Sequence, residues 1–128
     1  DSNCFEMVLQ PKVDLDSNLV VSAEALVRWK LEDGTYLPPS SFVGIFEKNR
    51  FCSKLDFYML RKAIQQIRKW IDMGIQPVNL SVNQSKIVFY HENYIVSILF
   101  YYCQNKGHIL NHSCLLYCLN TANRLLLH

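Results

Sequence analysis

Val20-Val21-Ser22-Ala23-Glu24-Ala25-Leu26-Val27-Arg28-Trp29 is the stretch on which the fold turns. It reads as a strand over residues 20–29. Glu24, Leu26 and Arg28 stand two apart, so an extended chain points all three to one face. That face carries a carboxylate, an apolar contact and a guanidinium. These are groups that hold a metal ion beside a phosphodiester. The same alternation also describes an edge strand with a solvated polar face. The neighbouring segments decide between the two.

Upstream, Phe5, Met7, Leu9, Val13 and Leu15 alternate with Glu6, Gln10, Lys12 and Asp14. This predicts another strand, interrupted at Pro11. Asp16-Ser17-Asn18 has turn chemistry, and a connection this short joins antiparallel neighbours. Downstream, Glu32-Asp33-Gly34 makes a turn, and Pro38-Pro39-Ser40-Ser41 ends the extended chain. Ser40 or Ser41 is then the expected cap of a helix over residues 42–48, with Val43, Ile45 and Phe46 as its apolar side. Ser53 opens a stronger helix, with Asp56 three residues on in a near capping box. Leu60, Ala63, Ile64, Ile67, Trp70 and Ile71 recur at helical spacing, and Gly74 ends the run. Arg61, Lys62, Arg68 and Lys69 read as its solvated face.

Residues 77–82, Pro77-Val78-Asn79-Leu80-Ser81-Val82, predict a short strand with Asn79 and Ser81 on one face. A polar face there reads either as a strand end tied to a loop or as a site at the strand's carboxyl end. A further helix is expected over residues 92–105. Strands alternating with helices indicate an α/β design.

The chain has 128 residues, 50% apolar and 19% charged, which suits one globular domain able to bury a core. A net charge of +2 with no basic run argues against a nucleic-acid polymer as partner. The opening Asp1-Ser2-Asn3-Cys4 has no basic or apolar leader and no initiator Met, so a piece of a longer polypeptide without a secretory signal is expected. The longest nearly apolar stretch, residues 95–103, falls short of the roughly 20 residues that span a bilayer. Five cysteines, an odd number, point to reduced thiols and a cytoplasmic location. Of the 24 charged residues, only Lys86, Glu92, Lys106 and Arg124 follow Ser85. The end of the chain shows no clean periodicity. Residues 107–128 are therefore expected to be a divergent tail, either out of frame after a change past Tyr102 or Lys106 or disordered.

The order of these segments resembles the amino-terminal half of the EAL domain, the bacterial phosphodiesterase that opens cyclic di-GMP to its linear dinucleotide. The likeness rests on Leu9-Gln10-Pro11-Lys12-Val13-Asp14-Leu15 and Ser22-Ala23-Glu24-Ala25-Leu26-Val27-Arg28-Trp29. Asp33-Gly34, Leu37-Pro38-Pro39-Ser40-Ser41-Phe42-Val43, Leu55-Asp56 and Asn79-Leu80-Ser81-Val82-Asn83-Gln84 follow in order. Glu-Ala-Leu alone would be weak; the combination is specific.

The resemblance implies a partial (β/α)8 barrel of the TIM type with an antiparallel first strand, stopping at about half, over residues 1–106. It implies that Glu24 and Asn79 are ligands of Mg²⁺ or Mn²⁺, hard ions that prefer oxygen. It implies that Gln10, Leu26 and Arg28 contact cyclic di-GMP, with Arg28 facing a phosphate. Upstream sensory or cyclase domains, or a homodimer that covers the unpaired barrel edge, are further expectations. The chain departs from the family in its second half. No Asp or Glu follows Glu92, where the family supplies an acidic strand, an Asp-Asp-Phe-Gly turn and a lysine. The isolated chain is therefore expected not to hydrolyse cyclic di-GMP. Three alternatives compete: a receptor that binds without cleaving, an interaction fragment, and a zinc site at His108, His112, Cys114 and Cys118, whose spacing fits no strong finger signature. Cys52, ahead of the long helix, is a candidate for a lowered thiol pKa, although burial is its simpler role.

Overall fold

A computed structural model of the chain describes residues 4–49 and 51–85. The expected helix at 92–105, the tail and its His/Cys pattern lie outside those residues.

β1 (Phe5–Val13) and β2 (Val20–Lys30) form an antiparallel hairpin, in register from Phe5 opposite Trp29 to Lys12 opposite Ser22. The turn forms as expected. Asp14 Oδ1 accepts from the Asp16 N–H at 2.8 Å and the Ser17 N–H at 3.2 Å, and Asn18 takes a left-handed φ of 56°. Pro11 does not interrupt β1, which runs on with Pro11 opposite Ala23. Among the described residues β1 pairs only with β2, and an edge strand tolerates proline because one of its two hydrogen-bonding edges is outside the ladder.

β3 (Tyr36–Leu37) adds antiparallel to the far end of β2, after a turn in which Gly34 has φ +84°. β4 (Asn79–Val82) lies beside β2 in parallel, with Ser22 opposite Asn79 and Ala25 opposite Val82. It starts at Asn79 rather than Pro77. A parallel neighbour needs a long crossover, and the helical segment between the strands supplies it.

That crossover holds a 3₁₀ turn (Pro39–Ser41), α1 (Val43–Lys48) and α2 (Cys52–Asp72). Ser40 and Ser41 sit in the 3₁₀ turn and cap nothing; Phe42 precedes α1 without a side-chain cap. α2 begins at Cys52, behind Phe51, again without a side-chain cap. Ser53 lies inside α2 rather than at its cap, and Asp56 accepts from Ser85 beyond β4. Gly74 closes the helix with φ +71°, as the sequence leads one to expect.

The core lies between α2 and one face of the sheet. Ala23 and Ala25 of β2 are buried against Leu55, Met59, Leu60, Ala63 and Ile64, which return every three or four residues on α2. Small residues on the strand let the helix sit close. At one end five rings cluster. Phe42 is 1% exposed, with ring centres of Phe46, Trp29 and Phe5 at 5.3, 5.6 and 5.8 Å. Ile45, expected on the apolar side of α1, is 58% exposed, since Phe42 fills the position against the sheet. The Tyr58 hydroxyl donates to the Phe5 carbonyl at 2.5 Å and ties α2 to β1. Among the described residues no helix is long and apolar enough to cross a membrane.

Candidate functional site

The opposite sheet face is polar, and the strand register decides what meets there. Gln10 stands opposite Glu24 across β1 and β2. Ser81 stands opposite Glu24, and Asn79 opposite Ser22, across β2 and β4. Cross-strand partners share a face. Gln10, Glu24 and Ser81 therefore form a row, Asn79 lies diagonal to Glu24, and Leu26 and Arg28 continue along β2. All five residues selected from the sequence come to one face. Glu24, Leu26 and Arg28 are half-buried, while Gln10 and Asn79 are exposed.

Glu24 is engaged on both oxygens. Lys12 Nζ lies 3.5 Å from Oε2, and Asn83 Nδ2 donates to Oε1 at 2.9 Å. Sequence reasoning missed both partners. Lys12 was visible as the next residue on the face of Gln10, two positions on. Asn83 follows β4, where alternation no longer predicts direction. Ser81 Oγ donates to the Ala23 carbonyl at 3.4 Å, so this hydroxyl serves the sheet. Arg28 Nη1 donates to the Val27 carbonyl at 2.9 Å and makes no ion pair among the described residues.

Beside this face, β2 has a gap between its pairing with β4 and its pairing with β3. A cavity of about 290 Å³ opens there on the α2 side of the sheet, lined by Leu26, Val27, Cys52, Asp56, Met59 and Gln84, among others. Asp56, 8% exposed, accepts from the Ser85 N–H at 3.0 Å and from the Ser85 hydroxyl. Burial pushes its pKa up, and the two hydrogen bonds from Ser85 work against that rise. Gln84 Nε2 donates to the Asn83 carbonyl at 3.0 Å, while its Oε1 is buried without a hydrogen-bond partner among the described residues. Such an oxygen calls for a donor. Burial, then the charges of Asp56 and Glu47, raise the Cys52 thiol pKa. Cys52 is therefore a packed thiol, not an activated one.

Mg²⁺ demands six oxygens in near-octahedral geometry. Around Glu24 the face offers one carboxylate with the Gln10 and Asn79 amides, and the carboxylate already binds the Lys12 ammonium and the Asn83 amide. Among the described residues no three His, Cys, Asp or Glu side chains gather. These residues do not by themselves fit a Mg²⁺ or Mn²⁺ ion.

Known proteins share the fold of this chain. The family profile described as EAL domain matches residues 1–114. The chain is 36% identical over 83 residues to the cyclic di-GMP phosphodiesterase RocR of Pseudomonas aeruginosa, covering 65% of this chain and 21% of that protein. It is 35% identical over 81 residues to the cyclic di-GMP phosphodiesterase PA2567 of the same organism, covering 63% and 14%. Among solved structures it resembles the PaMucR phosphodiesterase in its c-di-GMP complex, with TM-score 0.73 at 26% identity over 81% of this chain and 42% of that one. The Xanthomonas citri FimX EAL domain shares the fold, with TM-score 0.70 at 20% identity over 81% of this chain and 40% of that one. The chain thus spans about a fifth or less of these curated relatives, and about two-fifths of the solved chains. Its sheet and helices correspond to part of a TIM-type barrel whose first strand is antiparallel. A family match over most of the sequence, carried by a sheet and crossover that superpose on part of solved EAL barrels, makes this chain a member of the EAL domain family.

Proposed function

We propose that this chain forms one side of a cyclic di-GMP site and does not by itself turn the dinucleotide over. The observation that supports the reading is the single polar face carrying Gln10, Glu24, Leu26, Arg28 and Asn79 beside the Asp56 cavity. Arg28 presents a planar fork of donors suited to a phosphate. Leu26 lines the cavity and supplies an apolar contact for a base or ribose. Within the cavity the Asp56 carboxylate and Gln84 Oε1, which has no partner among the described residues, are acceptors. A guanine edge brings the N1–H and exocyclic NH₂ donors that acceptors of this kind hold.

Hydrolysis in the family is metal-assisted, with Mg²⁺ or Mn²⁺ supplying charge neutralisation and an activated water. Glu24 and Asn79 are the family's ligands present here, and no carboxylate side chain follows Glu92 in this sequence. The engagement of Glu24 by Lys12 favours a second reading, a receptor that holds the dinucleotide uncleaved.

The test uses the purified 128-residue chain, cyclic di-GMP and Mg²⁺ or Mn²⁺. Chromatography should show no linear dinucleotide; metal-dependent product refutes the inactivity. Equilibrium dialysis of the same samples should show binding that Arg28→Ala weakens about tenfold or more, the scale of a hydrogen bond to a charged group. Equal binding by the variant refutes the site.

A further inference from the structure

A second cluster lies on the polar face, at the carboxyl end of β2. Glu6 is the register partner of Arg28, so the two side chains leave the sheet together, with β-carbons about 4.5–5.5 Å apart. Opposite charges in that relation attract one another. Here they are kept separate. Glu6 Oε1 accepts from the Lys30 ammonium at 3.2 Å, and Oε2 accepts from the Tyr36 hydroxyl at 2.8 Å. Lys30 and Tyr36 are themselves partners across β2 and β3, with Nζ 5.7 Å from the ring centre. Both carboxylate oxygens of Glu6 are thus engaged from the β3 side. Arg28 turns one nitrogen to its neighbour's carbonyl and pairs with no carboxylate among the described residues.

We infer that Lys30 and Tyr36 are positioning residues that hold Glu6 away from Arg28, leaving the guanidinium open to a phosphate of the dinucleotide. This rests on the reading that Arg28 meets a phosphate. The two residues touch no ligand in this scheme; they act through Glu6. The Tyr36 hydrogen bond first, and the Lys30 hydrogen bond second, keep the Glu6 carboxyl below the usual carboxylate range, so it stays charged. A charged Glu6 released from this clamp has Arg28 as its register partner across β1 and β2. A guanidinium engaged by a carboxylate is a weaker anion ligand, because the phosphate must first displace it.

The experiment compares the wild-type chain with Lys30→Met/Tyr36→Phe and with the same double variant carrying Glu6→Gln. One readout needs no ligand: NMR of the Arg28 side chain. In the double variant the Arg28 Nε–H should gain a nuclear Overhauser contact to the Glu6 Cγ protons and exchange more slowly with water. Adding Glu6→Gln should abolish both changes. The second readout is cyclic di-GMP binding by equilibrium dialysis. The double variant should bind roughly two- to fivefold more weakly, the scale of an exposed ion pair, and Glu6→Gln should restore the loss. An Arg28 signature unchanged in the double variant overturns the inference. So does a binding loss that Glu6→Gln fails to rescue. If the wild type binds no cyclic di-GMP while the NMR changes appear as expected, it is the assignment of Arg28 to a phosphate that fails, and the clamp on Glu6 stands.

Discussion

Replacing Phe42 with alanine tests whether the ring cluster holds up the site. Phe42 is the largest fully buried side chain among the described residues, and it packs behind the strand whose other face carries Glu24 and Arg28. The variant removes a ring that is 1% exposed and has three other rings within 6 Å. Transfer of a buried aromatic side chain stabilises by about 1.5–3 kcal/mol. Each lost ring pair adds about 0.5–1.5 kcal/mol. Phe→Ala changes in cores cost about 3–5 kcal/mol because the cavity refills only partly, and this site should fall in that range. A small domain holds only about 5–15 kcal/mol in all, so Phe42→Leu is measured alongside, with an expected loss under about 1.5 kcal/mol. Urea titration followed by tryptophan fluorescence reads the change directly, since the Trp29 ring lies 5.6 Å from Phe42. A loss below about 1.5 kcal/mol for Phe42→Ala would falsify the claim that these rings form one cooperative core.

Two further outcomes follow from the structure. Asp56 is a carboxyl whose folded pKa lies above the usual 3.8, because burial disfavours its charge. Such a group stabilises the fold below the unfolded pKa and loses that contribution as pH rises through the folded value. The urea midpoint of wild type relative to Asp56→Asn should therefore fall between about pH 3.8 and neutrality; a rising difference would show the Ser85 hydrogen bonds outweighing burial. Gly74→Ala should cost about 1–2 kcal/mol in thermal unfolding, because φ is +71° while the added Cβ meets nothing within 4 Å. No loss there would mean that the helix end relaxes out of the left-handed region.

Much of this architecture is written in local pattern. Alternation over β1 and β2, a three-residue turn motif between them and the 3/4 stripe on α2 determine the hairpin and the main helix, because each follows from one period and a few breakers. The side-chain alternation also selects Gln10, Glu24, Leu26, Arg28 and Asn79 as residues facing one way within their own strands. Helix caps were misread for a physical reason. A serine before an apolar run signals a cap only if the helix starts just after it, and here Ser40 and Ser41 fall in the 3₁₀ turn while Ser53 falls inside α2. Pro11 was read as a break because the sequence does not say which strand lies at an edge.

The sequence by itself determined that two strands pair antiparallel, that a long amphipathic helix covers one face, and which side chains could gather on the other. Only the tertiary structure decided the register between β2 and β4, and with it the engagement of Glu24 by Lys12 and Asn83, the cavity at Asp56, and the separation of Glu6 from Arg28. The reason is range. Period and turn chemistry act over a few residues, whereas Glu24 and Asn83 are 59 residues apart and meet only once the crossover helix has packed.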